Sequence, residues 1–537
     1  MRLPRPIAPD AALHVLALVA VVLGMTLRAG SLGRAPMSHD EVLTAERAAG
    51  RGPAEMNALA YRGEVARAGD VAALLRPDAA SHGPRAVVRS FLDEEPHHAP
   101  LFYVACWLWA RASGGAIAEL RALSLLAAFA AIAACFFLAR ELAGDARAGP
   151  IAAAVAALSP LPFGFALEAR PHLAGLACLL WSSVFLVAAV RREEAEASPA
   201  AAWVAFALSL AATLYTYPAA GAGALALAVF AVAAPSRAAR RRVVARFAIA
   251  AGAAGLAFAP WAANALARRA VIGPQLEWVA GTRSLPDRMH TWLSHLAGGR
   301  VNLWAPVRWD HAAVAVAALA AIALGLRLLP RRAAVFALAL AASAVVPLGA
   351  ADLLLGGHTS HVTRYILPSI AGFDLALALG IAGLLGARAL PARIAGIVLL
   401  AATLASSGSA CREAAVDPAP STHWPASETL AVVRAAAERP DALLICTAED
   451  GAAWGRGLAL CAALPPRRRV LLEPPGHALR LPPGEAAVLV YGRADAAAPA
   501  LAAAGFVERP APPEAAPWLR AFEQPAAATP TAGPEAR

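Results

Sequence analysis

Apolar residues along the chain fall in long runs separated by short polar stretches, near residues 11–30, 118–140, 149–167, 171–190, 201–217, 219–234, 244–262, 311–329, 333–353, 364–387 and 393–410. Most approach the roughly 20 apolar residues that a helix needs to cross a bilayer. The pattern predicts about eleven transmembrane helices. Pro100–Ser113 is also apolar and aromatic, but at about fourteen residues it is short for a span. After residue 410 the pattern changes. Helices are predicted over Ser427–Glu438, Gly451–Ala463 and Asp495–Ala504, and strands over Ala442–Cys446, Arg469–Leu472 and Ala486–Tyr491. This alternation predicts a small α/β domain over 411–510, followed by a Pro/Ala-rich, disordered tail over 511–537. The fold class is an all-α polytopic membrane protein with a small C-terminal α/β extracytoplasmic domain.

Charge assigns the sides. Arg140 and Arg147, Arg191 and Arg192, Arg237 to Arg246, Arg327 to Arg332, and Arg388 with Arg393 fall in every second connection. The positive-inside rule places these, with Arg2 and Arg5, in the cytoplasm. The outer face then carries 31–117, Glu168–His172, Tyr215–Pro218, 263–310, 354–363 and everything after 410. If Pro100–Ser113 crossed, every later Arg cluster would land outside. It is therefore read as a juxtamembrane helix with Phe102, Tyr103, Trp107 and Trp109 at head-group depth. The first span is read as a retained anchor, since no small-residue cleavage site follows it.

With 59% hydrophobic and 16% charged residues, the composition excludes a soluble globular protein. The net charge of +10 sits in clusters between spans rather than on one basic face, which excludes nucleic-acid binding. Every basic residue is Arg, so lysine chemistry is excluded and phosphate contacts fall to Arg, His or backbone. The six cysteines form no CxxC and no metal-ligand spacing. Cys106, Cys135 and Cys178 read as small hydrophobes, and Cys446 and Cys461 could pair if the tail is exported. The glycines after 410 form no G-x-G-x-x-G, so no nucleotide site is expected there.

Two adjacent acids follow the first span in Ser38-His39-Asp40-Glu41. Dry hydrocarbon expels charge, so acids are kept near spans where function needs them. The pair reads either as two carboxylates held at the membrane surface for chemistry, or as first-turn acids of a capped surface helix. The same outer face gathers His97, His98, Arg121, Glu168, Arg170, His172, His358, His361 and Arg364. Singly, each has a structural explanation: Arg121 and Arg364 as snorkelling residues, His172 as a cap, His97 and His98 as surface residues, Glu168 with Arg170 as a local ion pair. Together they supply what a reaction on an anionic lipid phosphate needs: Arg for the phosphate, an acid as base, and ligands for a metal.

Ser38-His39-Asp40-Glu41 resembles the acid pair in the first external loop of the GT-C glycosyltransferases, multi-spanning enzymes that use polyprenyl-phosphate sugars. Protein O-mannosyltransferases (glycosyltransferase family 39) and the aminoarabinose transferase of lipid A belong to them. His98-Ala99-Pro100-Leu101-Phe102-Tyr103 is similar to their His-Pro-Pro-Leu-Tyr-Tyr segment, with Ala99 replacing one proline. Leu120-Arg121-Ala122-Leu123, Ala139-Arg140-Glu141-Leu142-Ala143-Gly144, Glu168-Ala169-Arg170 and Arg364-Tyr365 follow in the family's order. His172 stands where the family often has tyrosine, and Glu168 departs from a clean Asp-x-Asp. The resemblance covers about residues 10–410.

It implies transfer of a sugar from a polyprenyl-phosphate donor to a protein, lipid or glycan acceptor on the outer face of a bacterial plasma membrane, with inversion. Asp40 would be the general base, with Glu41 positioning the acceptor or sharing that role. Arg121, Arg170 and Arg364 would bind the departing phosphate, and His97 and His98 would support it or ligate a divalent ion with the acids. Glu168 and Tyr365 complete the implied substrate-binding set. No other cofactor is implied, and metal dependence stays open. The loop 263–310, with Trp278, Trp292, Trp304 and Trp309, is either a substrate lid or an interfacial belt. A flippase of lipid-linked sugars would show inverted repeats and mid-bilayer charges, whereas here no repeat is visible and the charges sit at one rim. An O-antigen-ligase-like enzyme would place its key groups in a late loop, and a scaffold would leave the acid pair unexplained.

Overall fold

A computed structural model describes residues 9–78, 81–298, 316–416 apart from 317, 318 and 321, 426–447, and 451–525 apart from 475, 478, 493, 514, 516 and 517. Its contacts divide the chain into two units, Met1–Arg34 with Gly83–Thr422, and Ala35–His82 with His423–Arg537.

The first unit is helical. Among the described residues seven helices are long and apolar enough to cross a membrane: Ala11–Ala29, Ile117–Ala143, His172–Glu194, Arg237–Ala267, Arg331–Leu355, Thr363–Gly386 and Leu390–Val416. Three shorter apolar helices, Ala148–Ala157, Ala200–Thr216 and Pro218–Ala233, occupy further predicted runs. Proline accounts for some of the shortening, because it lacks the N–H that continues a helix. Pro160 starts a new helical piece, Pro160–Phe165, and Pro218 opens a 3-10 turn, Pro218–Gly223. Of the predicted span 311–329, residues 311–315, 317, 318 and 321 lie outside the described residues, and 322–326 are helical. The chain is a multi-pass membrane protein.

Lipid gives helices no hydrophobic reason to associate, so close packing of small residues must do it. In Thr363–Gly386, 83% of the most apolar stretch is buried inside the protein, against 17% in Arg237–Ala267. The former is therefore the centre of the bundle and the latter a lipid-facing edge, with Ile249, Leu256 and Leu266 outward. Leu138, Leu179, Phe206, Phe230, Phe336 and Leu377 fill the core. At Gly372 the central helix passes so near Leu340 and Ala341 that a Cβ would overlap their backbone.

The two ends of this bundle differ chemically. At one end Arg332 Nε donates to the Leu142 carbonyl at 3.1 Å, Arg147 Nη1 to the Leu385 carbonyl at 3.5 Å, and Arg246 Nη1 meets Glu193 at 2.5 Å. The Arg-bearing connections read as one side of the membrane thus meet one another. At the other end Arg121 Nη1 donates to the Leu32 carbonyl at 2.7 Å, and Ser124 Oγ to the Arg170 carbonyl at 3.4 Å. The short apolar stretch before Ser113 forms the helix Leu101–Ser113. It buries Phe102, Tyr103, Cys106 and Ala110 and exposes Leu101 and Leu108. It stops at Gly114, whose φ of 103° favours glycine.

The second unit is a six-stranded sheet in the order β1-β3-β2-β4-β6-β5. The strands are β1 (Val65–Arg67), β2 (Leu443–Thr447), β3 (Arg469–Glu473), β4 (Ala487–Tyr491), β5 (Val507–Arg509) and β6 (Leu519–Glu523). β2 pairs in parallel with β3 and β4, and the outer pairings are antiparallel. The central strand β2 is buried throughout, as an apolar run in a parallel sheet should be. Helices Ala426–Glu438, Gly451–Ala463 and Ala494–Ala503 fall within a residue of their predicted places.

Two features differ from the sequence reading. Residues 31–117 were expected as one external loop, yet β1 lies in register with β3, Val65 opposite Leu471. A three-residue strand is too short to show a period. The tail was expected as disordered from 511, yet β6 pairs with β4 and β5, because Leu519, Ala521 and Phe522 supply an apolar face that the Pro/Ala bias hides. Residues 526–537 lie outside the described residues. Cys446 and Cys461 are buried free thiols, and burial pushes the latter up to about 12.

Gly372→Ala is expected to destabilise the protein by about 1–3 kcal/mol through overpacking. Gly252→Ala, which meets nothing within 4 Å, should be neutral. Thermal midpoints in detergent measure both, and a wild-type midpoint for Gly372→Ala would contradict the packing.

Candidate functional site

In the first unit the candidate residues gather around tight turns between helices. Glu168-Ala169-Arg170-Pro171 links Pro160–Phe165 to the helix starting at His172, and the Arg170 amide donates to the Glu168 carbonyl at 2.8 Å. Glu168, Arg170 and His172 are all buried, at 5%, 3% and 2% exposure. Burying charge costs several kcal/mol unless partners surround it. The Arg170 guanidinium lies 6.0 Å from the Tyr103 ring centroid, within cation–π reach. Tyr103 also carries the two imidazoles of the juxtamembrane motif: His98 meets its ring edge-on at 6.3 Å, and His97 stacks on His98 at 4.2 Å.

Arg364 and Tyr365 sit in a one-turn 3-10 helix, Thr363–Ile366, just before the central span. The guanidinium of Arg364 lies over Trp278 at 5.1 Å and Tyr365 at 5.4 Å. The preceding turn is fixed by Asp352, whose carboxylate accepts the backbone N–H of Thr359 at 2.9 Å and of Ser360 at 2.7 Å. Trp292 Nε1 donates to Ser360 Oγ at 2.9 Å, and His295 Nε2 meets Thr363 Oγ1 at 3.2 Å. His358 and His361 pack edge-on at 6.2 Å. The aromatic loop thus joins the arginine's support through Trp278 and Trp292. Trp304 and Trp309 lie outside the described residues.

Tyr217, beside the arginine-bearing turns, was not singled out in the sequence; the 3-10 turn it precedes packs against Thr363–Ile366. It is buried at 5% exposure in the turn between Ala200–Thr216 and Pro218–Gly223, and its ring packs edge-on against His172 at 4.8 Å. Burial pushes its hydroxyl well above the usual range, against the pull of the Arg364 and Arg170 charges. The only signal was the polar turn Tyr215–Pro218 on the outer side, too common a pattern to assign. Arg121, wholly buried in the first turn of its helix, reaches the Leu32 carbonyl instead.

Asp40 and Glu41 belong to the second unit, in the helix His39–Ala48. Ser38 is its N-cap: Ser38 Oγ accepts the Glu41 N–H at 3.2 Å, and Glu41 Oε2 accepts the Ser38 N–H at 3.0 Å. This reciprocal pair is a capping box, and it uses Glu41 structurally. Asp40 lies with His39, Oδ1 to Nδ1 3.6 Å, and keeps 19% of its side chain exposed. The His39 ring fits because Gly455 has no Cβ there. Among the described residues no three His, Cys, Asp or Glu side chains are grouped as a metal site.

Neither a family model nor a curated protein matches the sequence. Solved structures do match its fold. ArnT from Cupriavidus metallidurans bound to undecaprenyl phosphate aligns over 97% of this chain and 99% of its own, at 13% identity and a TM-score of 0.52. Its apo state aligns over 95% and 97%, at 13% identity and a TM-score of 0.54. The Archaeoglobus fulgidus oligosaccharyltransferase, tethered to an acceptor peptide, aligns over 86% of this chain and 64% of its own, at 13% identity and a TM-score of 0.48. The chain has the GT-C fold.

Burial lowers His295 from 6.5 to about 4, with nearby His361 adding to the effect. A His depressed on folding is protonated first in the unfolded chain, so its contribution is present above pH 6.5 and is lost as pH falls toward 4. The thermal midpoint should decline across that window, and His295→Gln should flatten the decline. An unchanged pH slope in the variant would contradict this.

Proposed function

We propose that the protein is a membrane glycosyltransferase that moves a sugar from a polyprenyl-phosphate donor to an acceptor hydroxyl on the extracytoplasmic face of a bacterial plasma membrane. The observation that carries this reading is that the turns bearing Arg170 and Arg364 pack around the segment of one buried tyrosine, Tyr217, at the end of the bundle away from the Arg-bearing connections. Two guanidiniums at one end of the bundle favour a multiply charged anion, and the lipid phosphate of a membrane donor is such an anion. The fold supports it, since ArnT has this fold and binds undecaprenyl phosphate.

The acceptor oxygen attacks the anomeric carbon while the bond from that carbon to the phosphate oxygen breaks, so the sugar inverts. The phosphate leaves with the bonding electrons. Arg170 and Arg364 hold its growing charge more strongly in the transition state than in the bound donor, which is what lowers the barrier. Asp40 takes the acceptor proton. An ordinary carboxylate, with a pKa of about 4, is a weak base, but it suffices where the proton moves late in an oxocarbenium-like transition state.

Glu41 fixes the first turn of the helix through its cap, and so fixes Asp40. Arg121 holds the start of its span beside the Arg170 turn, while His97 and His98 shape the donor site through Tyr103. Glu168 and Tyr365 complete the lining. An imidazole–carboxylate metal site is not required by these roles. The N-terminus is cytoplasmic and the α/β unit extracytoplasmic in this scheme, following the distribution of Arg.

Asp40→Asn should lower transfer by about 10²–10⁴-fold, the usual size of general-base catalysis. Glu41→Gln should lower it less, with a stability loss of about 1 kcal/mol from the weakened cap. Sugar transfer in membranes from a labelled polyprenyl-phosphate donor checks both. Wild-type transfer by Asp40→Asn would remove Asp40 from the mechanism.

A further inference from the structure

Tyr217 carries a polar group that the packing leaves unused. Its Oη is buried and has no hydrogen-bond partner among the described residues. A hydroxyl in that position costs free energy that phenylalanine would avoid, so its retention needs an explanation. The ring is placed tightly. Tyr217 has an extended backbone, φ −153° and ψ 94°, before Pro218, and its amide donates to the Thr213 carbonyl at 2.9 Å. Opposite it, Gly175 leaves room for the tyrosine: a Cβ there would come within 2.5 Å of Tyr217 Cβ. His172, two residues after Arg170, closes one side of the ring, and the turn that follows Tyr217, Pro218–Gly223, packs against Thr363–Ile366, which carries Arg364.

A tyrosine O–H has one proton to give, and among the described residues the protein supplies it no acceptor. A bound oxyanion would supply one. We infer that Tyr217 is a third donor for the polyprenyl phosphate, its O–H directed to an oxygen of the phosphate that Arg170 and Arg364 hold. This rests on the donor assignment made above and adds a neutral donor to it. Such a donor stabilises the phosphate oxygen without further repulsion between cations, and it makes the site select a phosphate head over an uncharged alcohol of the same chain.

The test measures affinity of the full-length protein in nanodiscs for a polyprenyl monophosphate and for the matching polyprenol, in wild type, Tyr217→Phe and Arg364→Gln. Loss of one charge-assisted hydrogen bond should weaken phosphate binding by at least about tenfold in Tyr217→Phe. Polyprenol affinity should stay at the wild-type value and the lipid-free thermal midpoint at or above it, since the ring and its contact with His172 remain and the unpartnered hydroxyl is gone. Wild-type phosphate affinity in Tyr217→Phe would overturn the inference. An equal loss for both lipids would also overturn it, since that marks a role in shape alone. Failure of Tyr217→Phe to fold would overturn it too, because a partnerless hydroxyl contributes nothing to folding. If the wild type did not prefer the phosphate over the alcohol, the donor assignment itself would fall. If Arg364→Gln lost that preference and Tyr217→Phe kept it, only the role of Tyr217 would fall.

Discussion

Burying a guanidinium in apolar surroundings costs several kcal/mol unless acceptors, rings or anions surround it. The helical unit meets that cost differently at each arginine. Arg28 donates to the Ala157 carbonyl at 2.6 Å and lies over Phe163, so it ties the first span to its neighbour. Arg121 reaches the Leu32 carbonyl and anchors the turn after that span. Arg170 is buried beside the Tyr103 ring, and the half-buried Arg364 lies over Trp278. The turns at 168–171 and 359–366, and the glycines that let helices close on them, follow from holding these charges in place.

Much of this was legible in the sequence, for reasons that can be named. Long apolar runs survive as helices because lipid demands that every backbone group bond within its own segment. The alternation of Arg-bearing connections appears as contacts among those connections, Arg332 with Leu142 and Arg246 with Glu193. Pro100–Ser113 was too short to span, and it forms a helix with one buried face, Phe102, Tyr103, Cys106 and Ala110. Of the two readings left open for Ser38–Glu41, the cap is present, and it occupies Glu41 while leaving Asp40 partly exposed.

What escaped the sequence depends on partners far along the chain. β1 is three residues whose only mark is their register with β3, some 400 residues later. β6 hides its apolar face among prolines and alanines until β4 and β5 flank it. Tyr217 looks like any aromatic residue in a turn, and only the packing of that turn beside His172 and Thr363–Ile366 sets it apart. Asp352 reads as an acid near the end of an apolar run, yet it organises the turn before Arg364 through two backbone N–H groups. In each case local composition is silent because the determining contact is tertiary.

Arg170 and Arg364 are proposed to hold the phosphate of a lipid-linked sugar donor. The most direct test of this is a donor comparison: purified protein in bilayers is given labelled sugar on a polyprenyl phosphate or on a nucleotide, with a panel of acceptors, and the anomeric configuration of the product is read. The account predicts transfer from the lipid donor alone, with inversion. Turnover from the nucleotide sugar, or tight binding of the lipid donor without turnover for any acceptor, would contradict it.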